Sequence, residues 1–355
     1  MKSLTRRTVL AGAAAGPAGL AAAFQLEPVR LPRRLRLGMI GLDGHTGEIL
    51  SHLKRLPDIE FAAVSDANAA GLKRFANQHT YADYRRMLDA EKLDVVAICN
   101  NNGERAGAIL ACAERKLPFI AEKPFAIDME ELARVRKAVE RAAAPFSTLL
   151  PLRFDPPYST MKRLVAAGEI GEVAQIASQK SYKMGKRPEW FKKRATYGGT
   201  IAWIGIHMID LMRFASGREF TEAYSVQGHI GFPDYGDMET VTASVFRLDN
   251  GGAATLRMDY YRPETAPTHG DDRLRLAGPG GVIEYQASTG VTLLKAGAKP
   301  QAITDLDPQG SVFLDFIGSA WLGKPAQLTP ADIWRVNEIT LLARDSAEQR
   351  RVVKL

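Results

Sequence analysis

The residues with the clearest chemical meaning form a short glycine loop near the start of the chain. Gly41, Gly44 and Gly47 are spaced GxxGxxG, between a run with strand periodicity and a run with helical periodicity. Glycine lets the backbone turn tightly and approach a pyrophosphate, and the start of the next helix offers free amides and a partial positive charge to the phosphates. The loop, including His45 and Thr46, is therefore predicted to bind a dinucleotide.

A carboxylate at the end of the next apolar run extends this prediction. Asp66 follows the last glycine by about 20 residues, where an acid meets the adenosine ribose hydroxyls in dinucleotide-binding folds. It would repel a 2′-phosphate, so NAD is the predicted cofactor and NADP is less favoured. The match is imperfect, because Asp43 stands where GxGxxG has its second glycine. The glycines alone would also fit a simple tight turn, and the order strand, loop, helix, strand and acid favours the nucleotide site.

These residues must be positioned by a regular alternation of strands and helices in the first half. Apolar runs predict strands at 35–40, 61–66, 93–99, 117–121 and 146–150. Helical spacing lies between them at 48–56, 67–78, 104–115 and 129–143. Strands that alternate with helices of this length indicate βαβ units around a parallel sheet. The predicted fold class is α/β, with an N-terminal Rossmann-type, doubly wound parallel sheet.

The first 25 residues are interpreted as an export signal and not as part of the fold. A basic start is followed by a small, apolar run at 9–23 that ends in three alanines suited to cleavage. Arg6 and Arg7 resemble a twin-arginine signal, although a Sec signal containing two arginines would look similar. The expected location is periplasmic or otherwise exported, through the twin-arginine export machinery. The run is too short for a stable membrane span after processing.

Composition bounds the remaining function classes. The chain has 355 residues, enough for two domains, and 46% of them are hydrophobic. The net charge of +7 includes no dense Lys/Arg tract, so a nucleic-acid partner is not predicted. Two cysteines do not support a disulfide framework. His269 and Asp271 lie in one glycine-containing loop, which is too weak a pattern to predict a metal site.

The stretch Ala121-Glu122-Lys123-Pro124, directly after the fifth predicted strand, resembles the Gfo/Idh/MocA family of oxidoreductases. Segments 168–173, 198–210 and 276–281 agree with it, and the resemblance runs from about residue 34 to the C-terminus. It implies a Rossmann domain at 34–152 and a C-terminal α/β substrate and oligomerisation domain at 153–355. That second domain should contain a large open, mostly antiparallel sheet, in agreement with the hairpin signal at 249–252.

The resemblance also implies an activity and its residues. Most members are NAD(P)-dependent enzymes acting on sugars, cyclitols or their derivatives, often as dimers or tetramers. Lys123 and His207 match the family lysine and histidine: the ammonium can donate to a substrate oxygen, and a neutral imidazole can take a hydroxyl proton. Asn100 and Glu122 complete the expected cofactor site with Lys123. Glu122 is expected to orient Lys123, and Asp210 either holds the His207 imidazole or is structural.

Three departures from the family pattern leave the reaction open. Trp203 occupies the position of the usual aspartate, four residues before His207, and tryptophan cannot ionise. Arg105 replaces a histidine, and Asn100-Asn101 replaces Thr-Pro. Three functions therefore remain: a sugar or cyclitol oxidoreductase, an NAD-retaining glycosidase, lyase or epimerase, and a catalytically silent nucleotide-binding homologue. The basic and aromatic segment 178–193 either binds the carbohydrate substrate or is a solvated loop.

Overall fold

The structure is a computed structural model that describes residues 27–355; the predicted export signal lies outside the described residues. Within that range the chain forms a six-stranded and a nine-stranded sheet. No helix of the described part is long and apolar enough to cross a bilayer. The fold is α/β, as predicted, and the helix Pro330–Gln349 contacts strands of both sheets.

The N-terminal sheet is entirely parallel. Its strands are β1 (Leu35–Ile40), β2 (Ile59–Ser65), β3 (His79–Tyr81), β4 (Val95–Ile98), β5 (Phe119–Ala121) and β6 (Phe146–Thr148). Their spatial order is β3-β2-β1-β4-β5-β6, so the chain order reverses between β1 and β4. The helices are α1 (Gly47–Leu50), α2 (Ala69–Leu72), α3 (Tyr84–Ala90), α4 (Asn102–Glu114) and α5 (Met129–Ala142). Loops at the carboxyl ends of β1, β4 and β5 therefore meet at one crevice.

Several local predictions for this half need correction. The helix predicted at 48–56 is the short α1, followed by a turn and a 3₁₀ segment, Leu53–Arg55. The helix predicted at 67–78 is α2 followed by a 3₁₀ segment, Lys73–Phe75, and the glycine within α2 disfavours a longer helix. Strand β3 and helix α3 were not predicted, because β3 is a short edge strand with largely exposed side chains and no apolar alternation.

The second sheet is mixed and mostly antiparallel. Its strands are β7 (Gln175–Tyr182), β8 (Phe220–Gly228), β9 (Val241–Leu248), β10 (Ala253–Asp259), β11 (Gly270–Gly278), β12 (Gly281–Gln286), β13 (Gly290–Lys295), β14 (Gln301–Ile303) and β15 (Val353–Lys354). They lie in the order β14-β13-β12-β11-β7-β10-β9-β8-β15. Among the described strands of this second sheet, only β7 and β10 pair in parallel. The predicted hairpin at 249–252 joins β9 to β10.

Helices cover one face of this sheet and leave the other exposed. Those that pack on the sheet are α6 (Pro156–Ala166), α8 (Ile206–Ser216) and α10 (Pro330–Gln349), whereas α7 (Arg194–Tyr197) contacts α4 and α9 (Val312–Trp321) contacts β6 and α1. Along β10, buried Ala254, Leu256 and Met258 alternate with exposed residues. Burying each large apolar side chain contributes about 1.5–3 kcal/mol. This one-sided packing holds α8 firmly, and a π-helical turn at Ile201–Gly205 leads directly into it.

Candidate active site

The glycine loop between β1 and α1 is shaped by two close approaches. Gly41 has φ +80° and Gly44 has φ +66°. A Cβ atom on Gly41 would collide with the Asn100 backbone, and one on Gly44 would collide with the Glu122 carboxylate. Gly47 is different, because a Cβ there would meet nothing within 4 Å. Two of the three glycines are therefore required by the packing of the loop against the ends of β4 and β5.

The same loop presents unpaired donors, which is what an anionic ligand requires. The amides of Gly41 and Asp43 donate to backbone carbonyls, and that of His45 donates to Glu122. Within residues 27–355, the amides of Gly44, Thr46 and Gly47 have no protein acceptor. Because α1 is only one turn long, its dipole is small, and these individual amides are the main attraction for a phosphate.

A cavity of about 220 Å³ opens beside the loop, with the predicted ribose-binding carboxylate at its edge. Asp66 and Asn100 line this cavity. Neither polar atom of the buried Asn100 side chain has a hydrogen-bond partner among the described residues. Unpartnered buried amides are costly, so this side chain fits a polar ligand group. The glycine loop, Asp66 and Asn100 together fit a bound dinucleotide.

Asp43, the residue that breaks the usual glycine pattern, lines this same cavity. Burial raises the pKa of its carboxyl group, and the nearby Asp66 carboxylate raises that pKa further. Asp43 is thus a second acid beside Asp66 at the glycine loop, and Glu104 is a third acid in the lining of the cavity. The second acid weakens the attraction that the loop amides exert on phosphate.

Glu122 fastens the glycine loop to the end of β5. It is completely buried, its Oε1 accepts the His45 backbone N–H, and that same oxygen lies 2.6 Å from His45 Nδ1. Burial alone would raise its pKa, yet His45, Lys123 and Arg105 together lower the pKa of Glu122 to about 2. Glu122 was expected to orient Lys123, and its Oε2 accepts the Lys123 backbone N–H at 3.1 Å, while the Lys123 Nζ donates to Trp203.

Lys123 is held by Trp203. Its Nζ donates to the Trp203 carbonyl oxygen at 2.7 Å and lies 3.3 Å from the centroid of the indole ring, a cation–π contact. Burial lowers the pKa of Lys123 to about 7, an effect that Glu122 opposes and that Arg105 and Lys180 reinforce. With a pKa of about 7, Lys123 can donate or accept a proton at neutral pH. The following peptide bond, Lys123–Pro124, is cis.

His207 lies beside these residues, in the first turn of α8. Its side chain is buried, and its Nδ1 has no hydrogen-bond partner within the described chain. Burial lowers its pKa well below the ordinary value, and the positive charge of Lys123 adds to this effect. The imidazole is neutral at pH 7 and can accept a proton. The His45 ring lies edge to face against it, with ring centroids 5.1 Å apart.

Asp210 does not hold the His207 imidazole. Its two oxygens accept from Arg153 Nε at 2.7 Å and Nη2 at 2.5 Å, and both side chains are buried. Arg153 also pairs with Asp332 at 3.2 Å, at the start of α10. A bidentate, buried pair of this kind leaves the carboxylate no free direction toward a neighbouring ring. Of the two alternatives left by the sequence, the structural one is correct.

Arg105 was identified only as a departure from the family pattern, and the structure shows what it contacts. It is fully buried and donates to Asn102 Oδ1 at 2.8 Å, to the carbonyls of Lys123 and Pro124 at 2.9 Å, and to the Asn100 carbonyl. Burial lowers its pKa to about 10. Arg105 thus joins the ends of β4 and β5. Nothing in the local sequence distinguishes it from a surface arginine of α4.

The basic and aromatic segment 178–193 divides into two parts. Lys180 is buried on β7 and pairs with Asp272. Trp190 and Phe191 pack edge to face against Trp203, with ring centroids 5.4 Å and 5.6 Å away. These aromatic rings form an apolar wall behind Trp203. His269 packs against Tyr182, and no cluster of three or more potential metal ligands occurs in the described part of the chain.

Fold and site together define an NAD-binding oxidoreductase with a Rossmann sheet and a separate, mostly antiparallel sheet. A sequence model described as "Oxidoreductase family, NAD-binding Rossmann fold" matches residues 35–148, and a GFO/IDH/MocA C-terminal domain model matches residues 158–284. The chain belongs to the GFO/IDH/MocA family of oxidoreductases.

Curated relatives are similar at modest identity. An uncharacterized oxidoreductase, YrbE of Bacillus subtilis, is 27% identical over 235 residues, 64% of this chain and 67% of the relative. A myo-inositol 2-dehydrogenase of Thermotoga maritima is 26% identical over 234 residues, 62% of this chain and 67% of that enzyme. Two other inositol dehydrogenases, from Saccharopolyspora erythraea and Streptomyces leeuwenhoekii, align over 56% and 54% of their length.

Solved structures agree over nearly the whole described chain. A putative oxidoreductase from Thermotoga maritima superposes with a TM-score of 0.86 at 31% identity, covering 90% of this chain and all of that one. A levoglucosan dehydrogenase in complex with NADH superposes with a TM-score of 0.78 at 19% identity, covering 91% of this chain and 99% of that one. At that identity, the second likeness shows the fold alone.

Proposed function

We propose that this protein is an exported NAD-dependent dehydrogenase that oxidises a hydroxyl group of a sugar, a cyclitol or a sugar derivative. One observation carries the proposal: buried Lys123 and a neutral His207 meet beside a loop whose free amides fit a dinucleotide. A dinucleotide held at that loop by its diphosphate would supply nicotinamide as the acceptor of the hydride from the substrate carbon. The protein must then remove the hydroxyl proton and stabilise the oxygen left behind.

His207 and Lys123 can divide this work. Because its pKa lies well below the ordinary value, the buried His207 imidazole is neutral at pH 7 and has a lone pair that can accept the hydroxyl proton. Lys123 has N–H groups beyond the one that donates to Trp203, and these can donate to the substrate oxygen as negative charge develops on it. The apolar wall around Trp203 excludes water from Lys123, which strengthens that interaction.

A neutral polyhydroxylated ring is the substrate class that these surroundings favour. Trp203 keeps about a tenth of its surface exposed beside Lys123, and this apolar surface suits the apolar face of a sugar ring. Lys180, a further cation whose charge acts on both Lys123 and His207, is already paired with Asp272 and therefore has little charge to offer a substrate carboxylate. Relatives named as myo-inositol and scyllo-inositol dehydrogenases support a cyclitol as the first compound to test.

A second candidate is favoured by the contacts of Trp203. Because this residue covers Lys123 with both its carbonyl and its ring, the lysine is less free than a catalytic donor usually is. The protein would then be a catalytically silent nucleotide-binding homologue.

A third candidate, an NAD-retaining glycosidase, lyase or epimerase, is compatible with the same fold and with export, since free NAD is scarce outside the cytoplasm.

One set of measurements separates these functions. The purified protein is analysed for bound nucleotide, then mixed with NAD and a panel of inositols and aldoses. A rise in the near-ultraviolet absorbance of reduced nicotinamide supports the dehydrogenase. Product formation without that rise supports the NAD-retaining enzyme. Nucleotide binding without any product supports the silent homologue, and absence of nucleotide binding contradicts all three.

Two further parts of the proposal concern location and assembly. Replacing Arg6 and Arg7 by lysine in the full chain should block export in a bacterium with the twin-arginine machinery.

A homo-oligomer is supported by the exposed face of the nine-stranded sheet, where Tyr224 and Val245 are cross-strand neighbours, 42% and 50% exposed. A Val245→Glu variant should lower the mass measured by light scattering. An unchanged monomeric mass in both proteins would contradict the assembly.

A further inference from the structure

The catalytic end of the cleft has a histidine pair that the family pattern does not explain. His45 belongs to the glycine loop and was predicted from the sequence as a cofactor contact. Its ring lies edge to face against the His207 ring, with centroids 5.1 Å apart. About a third of the His45 side chain is exposed, whereas His207 is only 5% exposed. His45 therefore lies between the buried imidazole and solvent.

The hydrogen bonds of His45 fix which of its nitrogens carries a proton. Glu122 has a pKa of about 2, so its carboxylate can only accept. His45 Nδ1, 2.6 Å from that carboxylate, must therefore carry a hydrogen, and Nε2 of the neutral ring has a free lone pair. A buried carboxylate that orients an imidazole and stabilises its protonated form is the arrangement used for proton transfer in hydrolase triads.

The contacts of His45 also show that this arrangement is built into the fold. Glu122 accepts both the backbone N–H and Nδ1–H of His45. Gly44 has no side chain where a Cβ would collide with Glu122, so the loop can lie directly over the carboxylate. The other charged groups close enough to act on the two rings are Glu48, Lys123 and Lys180.

His207 needs a neighbour of this kind. Each oxidation of a hydroxyl to a carbonyl releases one proton, and a neutral His207 can receive it. Burial and Lys123 then make the resulting imidazolium unfavourable, and Asp210 is engaged with Arg153. Trp203 cannot accept a proton either. His45 has the free lone pair, the stabilising carboxylate and the access to solvent that the other neighbours lack.

We propose that His45, oriented by Glu122, is a proton-relay residue that carries the hydroxyl proton from His207 to solvent. In this sequence the proton moves from the substrate oxygen to His207, from His207 to His45 Nε2 directly or through one water, and from His45 to bulk water. His207 and His45 return to their neutral forms, and one proton is released per turnover. This inference rests on the proposed dehydrogenase function.

The kinetic test uses His45→Asn, because the asparagine amide can still donate to Glu122 while Nε2 is lost. With NAD and the inositol that the wild type oxidises, we expect kcat to fall roughly 100-fold at neutral pH, with little change in the KM for NAD. Added imidazole and rising pH should each restore part of the loss. The matched control is His79→Asn, since the exposed His79 pairs with Glu91 at 2.5 Å in the same way, away from His207.

A second measurement is independent of turnover. The chain has 6 histidines, so nitrogen NMR of the nucleotide-free protein can resolve their tautomers. We expect neutral His45 to be protonated at Nδ1 and to lose this preference in Glu122→Leu. If the wild type oxidises no substrate but this tautomer is found, the proposed function fails and the oriented His45 stands. An unchanged kcat and pH profile in His45→Asn, or a loss confined to the KM for NAD, would overturn the relay.

Discussion

The nucleotide end of the cleft and its catalytic end are built in different ways. The nucleotide end consists of the loop at 41–47, Asp66 and Asn100, and most of its donors are backbone amides. The catalytic end consists of His45, Lys123, Trp203 and His207, whose side chains meet from three separate segments. A backbone site tolerates changes of side chain, whereas a side-chain site changes its chemistry with each substitution. Of the departures from the family pattern, Trp203 and Arg105 contact Lys123, whereas Asn100 lines the nucleotide cavity.

The largest effect should come from a mutation that disables the catalytic end and leaves the nucleotide end intact. We expect His207→Ala to lower kcat by roughly 10²–10⁴-fold, because the group proposed to accept the hydroxyl proton is lost. The Kd for NAD, measured by calorimetry, should stay within about twofold of the wild type, which corresponds to less than 1 kcal/mol. A parallel loss of NAD affinity would show that the two ends are not independent.

The buried lysine offers a test that needs no substrate. Burial lowers the pKa of Lys123 from 10.5 to about 7, so between these values the unfolded chain binds a proton that the folded protein lacks. Stability must therefore rise with pH across this window, by at most about 1.4 kcal/mol per pH unit. Lys123→Met should remove this rise. Urea unfolding of both proteins over the same pH range measures the difference, since other titrating groups contribute equally to both. If the unfolding free energy of the two proteins changed equally with pH, the lowered pKa of the buried Lys123 would be contradicted.

At the nucleotide end, two glycines that look equivalent in the sequence should behave differently. Gly44→Ala should destabilise the protein by roughly 1–3 kcal/mol, because φ is positive and the new Cβ collides with Glu122. NAD affinity should fall as well, since the loop amides move with the backbone. Gly47→Ala is the matched control and should cost little, as its Cβ meets nothing within 4 Å. Thermal unfolding with and without NAD distinguishes the two, and equal losses would refute the steric argument.

The same contrast explains what could be predicted from the sequence. Alternating apolar runs and glycine spacing depend on local geometry, so the parallel sheet, the hairpin at 249–252 and the position of the glycine loop were predicted correctly. Lys123 and His207 were identified through the family resemblance, and the structure places them together. Their catalytic roles remain predictions.

Partner choice among buried polar groups could not be predicted. Asp210 is three residues from His207 and still pairs with Arg153, which is distant in sequence. Glu122 precedes Lys123 and holds His45. The four acceptors of Arg105 include three backbone carbonyls, which leave no trace in side-chain identity. Such choices depend on which groups tertiary packing removes from water, and a motif records only the residue types.

The smallest expected effect concerns the acid that interrupts the glycine pattern. Asp43 lines the same cavity as Asp66, next to the loop amides that would hold a diphosphate. Asp43→Asn keeps the shape and removes this charge, so NAD should bind about fivefold more tightly, or about 1 kcal/mol, at low ionic strength. The gain should shrink as salt is added, because screening weakens the repulsion in the wild type. Asp66→Asn is the opposing control and should weaken binding, since the ribose hydroxyls lose a charged acceptor. Calorimetric titration at two salt concentrations measures both changes. If Asp43→Asn bound NAD no better than the wild type, the Asp43 carboxylate would not repel the phosphates, and the second acid would not lower the affinity for NAD.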